Sequence, residues 1–346
     1  DQLGMDLWFT GQPVVGDTHR GQEFNSYDLK FSNLTSTIKE RNTSRLNGVL
    51  VTDYVIESVR EDGSRYELQT LADGTVITWQ IAELFELRLE PEAIARKLDE
   101  PRDLFVDMLV PVEGQLEAHP AQVTRLVLEV TPEFGNAIGN APGQVVIPPR
   151  PAGDDQESSR YRIMLSSNNA RDVRAEPEDS RKALLATVEF PARHPEVLAL
   201  AQKAVGDAGS PHEKVRRLVG FVDEFVADTY SVEPLSVLDI IQQKAGDCSV
   251  HSALFTAMAR SVGIPTRTVS GLVCGELVPG EGLVFGAHAW NEVVLDGFWV
   301  PVDATWNETT TNATHIRFPV VEGEEFAALS KLQNARIEII EAQAKP

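Results

Sequence analysis

Cys248, His288 and Asp303 supply the residue types that a thiol nucleophile, its general base and an orienting carboxylate require. Cys248 stands behind Gly246-Asp247, at the start of a stretch with helical apolar spacing. At a helix N-terminus the unpaired backbone N–H groups and the macrodipole favour an anion, which draws a thiol towards thiolate. Asp247 is placed to cap that helix, although its own charge works against the effect. Amide chemistry also needs a base and a proton donor. Taken singly, a cysteine is most often a small buried hydrophobe and a histidine a satisfied structural residue. Their joint placement carries the expectation.

That placement comes from a hairpin. Asp296-Gly297 is a two-residue loop signal between Ala287–Leu295 and Phe298–Asp303, both with strand patterns. Closing it sets Leu295 opposite Phe298, Trp290 opposite Asp303 and His288 opposite Thr305. His288, Trp290 and Asp303 then share one face, with His288 and Asp303 as diagonal neighbours about 7–8 Å apart. Asp303 can hold one imidazole nitrogen while the other faces Cys248. A one-residue slip would break the pairing, and Pro301 must occupy a position that donates no ladder hydrogen bond.

Other residues invite weaker readings. Cys248 and His251 form a Cys-x-x-His pair, but a cation would sequester the thiolate, so helix packing is the better reading of His251 and no metal is expected. Cys274 lies mid-strand and reads as core. Trp290 shares the triad face and is a candidate substrate contact, as are Trp306 and Tyr230; Trp299 reads equally well as core. The Cys248 backbone N–H is the default oxyanion donor.

The elements that must position these residues change texture along the chain. Alternating runs at Tyr54–Val59 and Arg65–Gln69 flank Asp62-Gly63, and Thr75–Trp79 follows Asp73-Gly74, both hairpin signals. A short helix is expected over Glu90–Leu98 and a strand over 123–131; residues 132–160, with five prolines and four glycines, read as a long loop. Tyr161–Leu165 and Ala183–Phe190 are strand candidates. Beyond Pro191, helical spacing covers Pro195–Ala208, His212–Asp228, Pro234–Lys244 and about Cys248–Val262, with Val250, Leu254, Ala257, Met258 and Ser261 facing inward. Strands at Arg267–Cys274, Ala287–Leu295 and Phe298–Asp303 follow, then a helix over Glu324–Leu332 and a strand over Arg336–Glu341. The expected organisation is a mainly β N-terminal domain, 1–190, and an α+β domain, 191–346.

Composition narrows the partners. The 346 residues carry 52 acidic against 31 basic side chains, a formal charge of −21, which argues against nucleic acid and anionic lipid. No apolar run approaches the ~20 residues that span a bilayer. Two cysteines exclude a disulfide scaffold and a Cys₄ zinc site. No phosphate loop or EF-hand pattern occurs, so no cofactor is expected. The chain opens at Asp1 without a charged-then-apolar leader, as a mature or trimmed form would. Asn33, Asn42, Asn307 and Asn312 begin Asn-x-Ser/Thr triplets, which matter only where glycosylation occurs. A secreted or periplasmic location is the expectation.

The segments around the three residues resemble the transglutaminase-like superfamily. The resemblance runs through Lys244-Ala245-Gly246-Asp247-Cys248-Ser249-Val250-His251-Ser252-Ala253-Leu254-Phe255, Ala259–Arg267, His288-Ala289-Trp290-Asn291-Glu292 and Trp299-Val300-Pro301-Val302-Asp303-Ala304-Thr305. Ala313-Thr314-His315-Ile316 looks like the tail of bacterial members with a β-rich region before the catalytic domain. It covers roughly residues 195–320. By residue match it implies Cys248 as nucleophile, His288 as base and Asp303 as orienting acid, on a papain-like core with a helix-borne Cys against an antiparallel sheet. The implied activity is thiol-mediated acyl transfer on a peptide or protein amide. Water as acceptor makes a peptidase or amidase, the leading expectation, and an amine makes a transamidase. A catalytically idle binding or scaffold protein is the alternative.

Overall fold

A computed structural model of the chain describes residues 2–25, 30–46, 48–61, 65–81, 85–96, 109–149, 160–167, 172–229, 235–277, 282–319, 331–332 and 335–345. The chain divides into two compact units, the first built around Asp1–Arg102 and the second from Asp103–Val320 and Lys331–Pro346. This division lies well before the expected boundary at residue 190. The reason is pairing: strands between residues 110 and 166 belong to the same sheet as the strand bearing His288.

The first unit opens with helix α1 (Gln2–Thr10) and continues as an antiparallel meander, β1 (Thr18–Asn25), β2 (Lys30–Leu46), β3 (Val49–Arg60), β4 (Arg65–Leu71), β5 (Val76–Ile81) and β6 (Phe85–Arg88), in sequential order. Alternation along β3 buries Tyr54, Ile56 and Ser58, and Tyr54 and Ile56 join Phe9 and Ile38 in a small core. Val59 pairs with Arg65 around the expected first hairpin, whose residues 62–64 lie outside the described ones. At the second, Gly74 takes φ +87° and Asp73 accepts the Thr75 N–H at 3.0 Å. The helix expected over Glu90–Leu98 is the single turn α2 (Glu92–Ala95), with Pro91 just before it.

The second unit is α+β. Its strands β7 (Val110–Glu113), β8 (Val123–Val130), β9 (Gln144–Ile147) and β10 (Tyr161–Ser166) enclose helix α3 (Pro132–Ala137). Thus 132–149 is not the expected loop: Pro132 starts a helix turn that buries Phe134 against Phe318, and β9 pairs with β10. Residues 150–159 lie outside the described ones. The strand expected over Ala183–Phe190 is also absent. Helix α4 (Pro177–Lys182) ends at Ala183, and only Ala183 and Phe190 are buried, a spacing that no β pairing produces.

Helices α5 (Pro195–Val205), α6 (Pro211–Phe225), α7 (Val237–Gln243) and α8 (Cys248–Ser261) follow, with β11 (Ala227–Asp228) and β12 (Ala245–Gly246) forming a short parallel ladder just before α8. Three have Pro or Ser start signals: His194 and Ser210 precede Pro195 and Pro211, and Ser236 with Asp239 makes a capping box. Val250, Leu254, Ala257 and Met258 are buried as expected, while Ser261 is half-buried and bonds back to Met258 O. Phe255 and Ala259 are buried too, because α8 packs on α5, α6 and α7 and also on the sheet.

That sheet adds β13 (Thr266–Gly275), β14 (Val284–Leu295), β15 (Phe298–Val302), β16 (His315–Arg317) and β17 (Ile337–Ala344). Its order is β16-β13-β14-β7-β17-β8-β10-β9, with β15 paired to β14. Asp296 and Gly297 both take positive φ, 53° and 83°, as a two-residue hairpin turn demands. Leu295 faces Phe298 and Asn291 faces Val302, so the expected register holds. Pro301 sits on β15, whose sole ladder partner among the described strands is β14. The expected helix over Glu324–Leu332 falls almost wholly outside the described residues.

Candidate active site

Gly246, Asp247 and the first turn of α8 hold Cys248. Asp247 caps the helix, its Oδ1 accepting the Ser249 and Val250 N–H groups at 2.9 and 3.3 Å. A Cβ at Gly246 would come within 2.4 Å of Val250 Cγ2, so only glycine lets the chain turn this tightly into the helix. His251 is buried, with Nδ1 2.8 Å from the Asp247 carbonyl and Nε2 3.2 Å from the Val226 carbonyl. It ties the start of α8 to the end of α6, which is the packing role expected of it. Cys248 is half-buried, whereas Cys274 is buried and desolvation pushes its thiol up to about 12.

His288 and Asp303 meet as the hairpin register requires. His288 Nε2 donates to Asp303 Oδ2 at 2.7 Å, and both side chains are buried. With Nε2 committed, Nδ1 is the nitrogen left for the Cys248 thiol. Burial pulls the His288 pKa down, but the Asp303 charge and hydrogen bond, with a further hydrogen bond from Cys248, outweigh it and raise it to about 10. Burial likewise opposes ionisation of Asp303, yet His288 and then His315 hold its carboxyl well below the usual carboxylate range. Asp303 Oδ1 accepts the Thr305 N–H at 2.8 Å. Its backbone leaves the β14 ladder to bridge Glu308.

Aromatic rings flank the imidazole. Trp306 lies flat on His288, centroids 4.3 Å apart and planes 7° off parallel, and Trp290 stacks at 5.9 Å and 20°. Trp306 is 39% exposed, but Trp290 only 2%. Trp290 therefore packs under the site rather than lining an open cleft, a correction to its reading as a substrate contact. Its indole fits because β13 has glycine at 271, where a Cβ would lie 2.6 Å from Trp290 Cη2. Trp299 is buried beneath the Arg267 guanidinium, which also pairs with buried Glu292. Tyr230 lies outside the described residues.

Two residues escaped the sequence reading of roles. Asn291 Nδ2 donates to Ser252 O and Thr256 Oγ1, pinning β14 to α8. His315 brings a second imidazole to Asp303, Nε2 to Oδ2 3.4 Å. Among the described residues, the His/Cys/Asp/Glu group whose ligand atoms come within 4.8 Å of one another is His288, Asp303 and His315. Cys248 and His251, the pair considered for metal, are not in it.

A half-buried cysteine on a capped helix packs against strands that bring a His–Asp pair. Residues 198–304 match the core model of the transglutaminase-like superfamily. This chain is 32% identical over 92 residues to the kyphoscoliosis peptidase of Mus musculus and 30% over 92 residues to that of Homo sapiens. Each match covers 25% of this chain and 13% of the relative, so it spans a small part of those proteins. Among solved structures, the periplasmic domain of TgpA from Pseudomonas aeruginosa aligns with 20% identity, a TM-score of 0.37, and coverage of 56% of this chain and 85% of that one.

Proposed function

We propose that the chain is a cysteine-dependent enzyme that cleaves or transfers an acyl group from a peptide or protein amide, with Cys248 as nucleophile, His288 as acid–base and Asp303 as its orienting partner. The buried 2.7 Å bond from His288 to Asp303 carries this reading, because it fixes the ring with Nδ1 free for the thiol. The Cys248 Sγ proton passes to His288 Nδ1, and the thiolate attacks the carbonyl carbon. The tetrahedral intermediate collapses as His288 returns that proton to the leaving amine, and an acyl thioester remains. Water or an amine then attacks the thioester, losing a proton to His288, and the proton returns to the thiolate as the acyl product leaves. Hydrolysis is the leading outcome and transamidation the other.

Trp306 lying flat on His288 favours a second reading, a transglutaminase-like domain that binds without turning over. Incubation with fluorescent casein, and separately with dimethylcasein and dansylcadaverine, tests both. Peptide release or amine incorporation that disappears in Cys248→Ala is expected. Neither product, together with the same pH profile of iodoacetamide labelling in wild type and His288→Ala, would replace the enzyme reading with the idle one.

A further inference from the structure

Asp303 serves two histidines through one oxygen. Its Oδ2 accepts from His288 Nε2 at 2.7 Å and lies 3.4 Å from His315 Nε2. His315 arrives on β16, at the far side of β13 from His288, and is buried with its ring edge-on to Trp290 and Trp306, centroids 5.1 and 5.9 Å away. Among the described residues its Nδ1 is buried without a hydrogen-bond partner. A bare lone pair suits that position better than an N–H, which places the ring proton on Nε2, facing Asp303. A carboxylate oxygen stabilised by a second donor is a weaker base towards the first.

We propose that His315 is a positioning residue that shares Asp303 Oδ2 with His288, fixing the carboxylate's rotation and loosening its hold on the His288 Nε2 proton. The imidazolium is then a better acid at Nδ1, where the leaving amine must be protonated. This inference rests on the reading of Cys248 and His288 as a working pair. His315 itself makes and breaks no covalent bond.

The test is nuclear magnetic resonance on the whole chain with isotope-labelled histidine, comparing wild type, His315→Phe and His315→Gln. Wild type should show His315 protonated at Nε2 and a low-field proton from the His288–Asp303 bond. In His315→Phe, which keeps a ring between the tryptophans but no donor, that low-field proton should move further downfield. In His315→Gln, whose amide restores a donor, it should return towards the wild-type position. A purely structural role would move both variants alike. No shift or an upfield shift in His315→Phe overturns the proposal, and so does a wild-type His315 carrying its proton on Nδ1. Should His315→Phe fail to fold, the wild-type tautomer decides alone. These signals are read without turnover, so an inactive chain with the expected signals counts against the enzyme reading and not against His315.

Discussion

Asn291 donates to Thr256 at 2.9 Å, joining the strand that bears His288 to the helix that begins with Cys248. The same amide group donates to Ser252 O at 3.0 Å. Asn291 lies three positions after His288 and Thr256 eight positions after Cys248, so this buried amide is expected to help set the distance between Cys248 and His288. Asn291→Leu keeps the branched shape and removes both bonds. Unfolding by urea should show a loss of about 1–3 kcal/mol, the usual consequence of stripping partners from a buried group. Iodoacetamide labelling of Cys248 should also slow. Unchanged labelling in a folded variant would show that the tether does not position the pair.

Labelling against pH separates a working pair from neighbours. In wild type, Cys248 should be labelled readily, while Cys274, buried with its thiol pushed up to about 12, should be spared. His288→Ala should change how the labelling of Cys248 depends on pH. Asp303→Asn should cut turnover by orders of magnitude without preventing labelling, since an amide neither stabilises the imidazolium nor fixes its tautomer.

Stability should depend on pH through the same pair, with opposite signs at the two ends. His288 rises from 6.5 to about 10 on folding, so its contribution is fully present below pH 6.5 and disappears as pH climbs towards 10. Asp303 falls below its ordinary 3.8, so its contribution is present above that value and disappears as pH drops through the lower, folded one. Urea midpoints should be highest between about pH 4 and 6.5 as far as these two groups are concerned. Asp303→Asn should flatten the alkaline decline. A decline of equal slope in that variant would assign it to other groups.

Gly271→Ala should be severe for a surface-sized change. Its Cβ would lie 2.0 Å from Ile316 O and 2.6 Å from Trp290 Cη2. Relief requires β16 or the Trp290 indole to shift, which carries His315 and the His288 stack with it. We expect at least ~1–3 kcal/mol lost on unfolding and a large drop in any turnover. A crystal structure of the variant with both the β13–β16 pairing and the Trp290 indole unmoved would contradict this.

The site was legible where it depends on short-range rules. Asp296-Gly297 set a two-residue turn, the turn set the register, and the register brought His288 to Asp303. Gly246-Asp247 likewise marked the start of α8. Long-range relations left weaker traces. β16 is three residues long, too short for any periodicity, so His315 stood out only within a familiar tail. Trp290 shares the expected face, yet its burial depends on β13 and β16, which hairpin geometry says nothing about. Phe134 and Gln144 lie in a proline-rich stretch whose helix turn and strand form because distant partners, Phe318 and Arg317, receive them.

The sheet has its last strand near its centre. β17 lies between β7 and β8, pairing parallel with one and antiparallel with the other, although it follows every other strand of the sheet in chain order. During synthesis, β7 and β14 can meet on one side and β8 and β10 on the other, but the two halves stay unjoined along that seam until residues 337–344 emerge. A ribosome that stalls before them, or a protease that nicks just ahead of them, would leave two raw β edges beside a complete Cys-His-Asp sequence. Completion of this sheet therefore waits on residues 337–344.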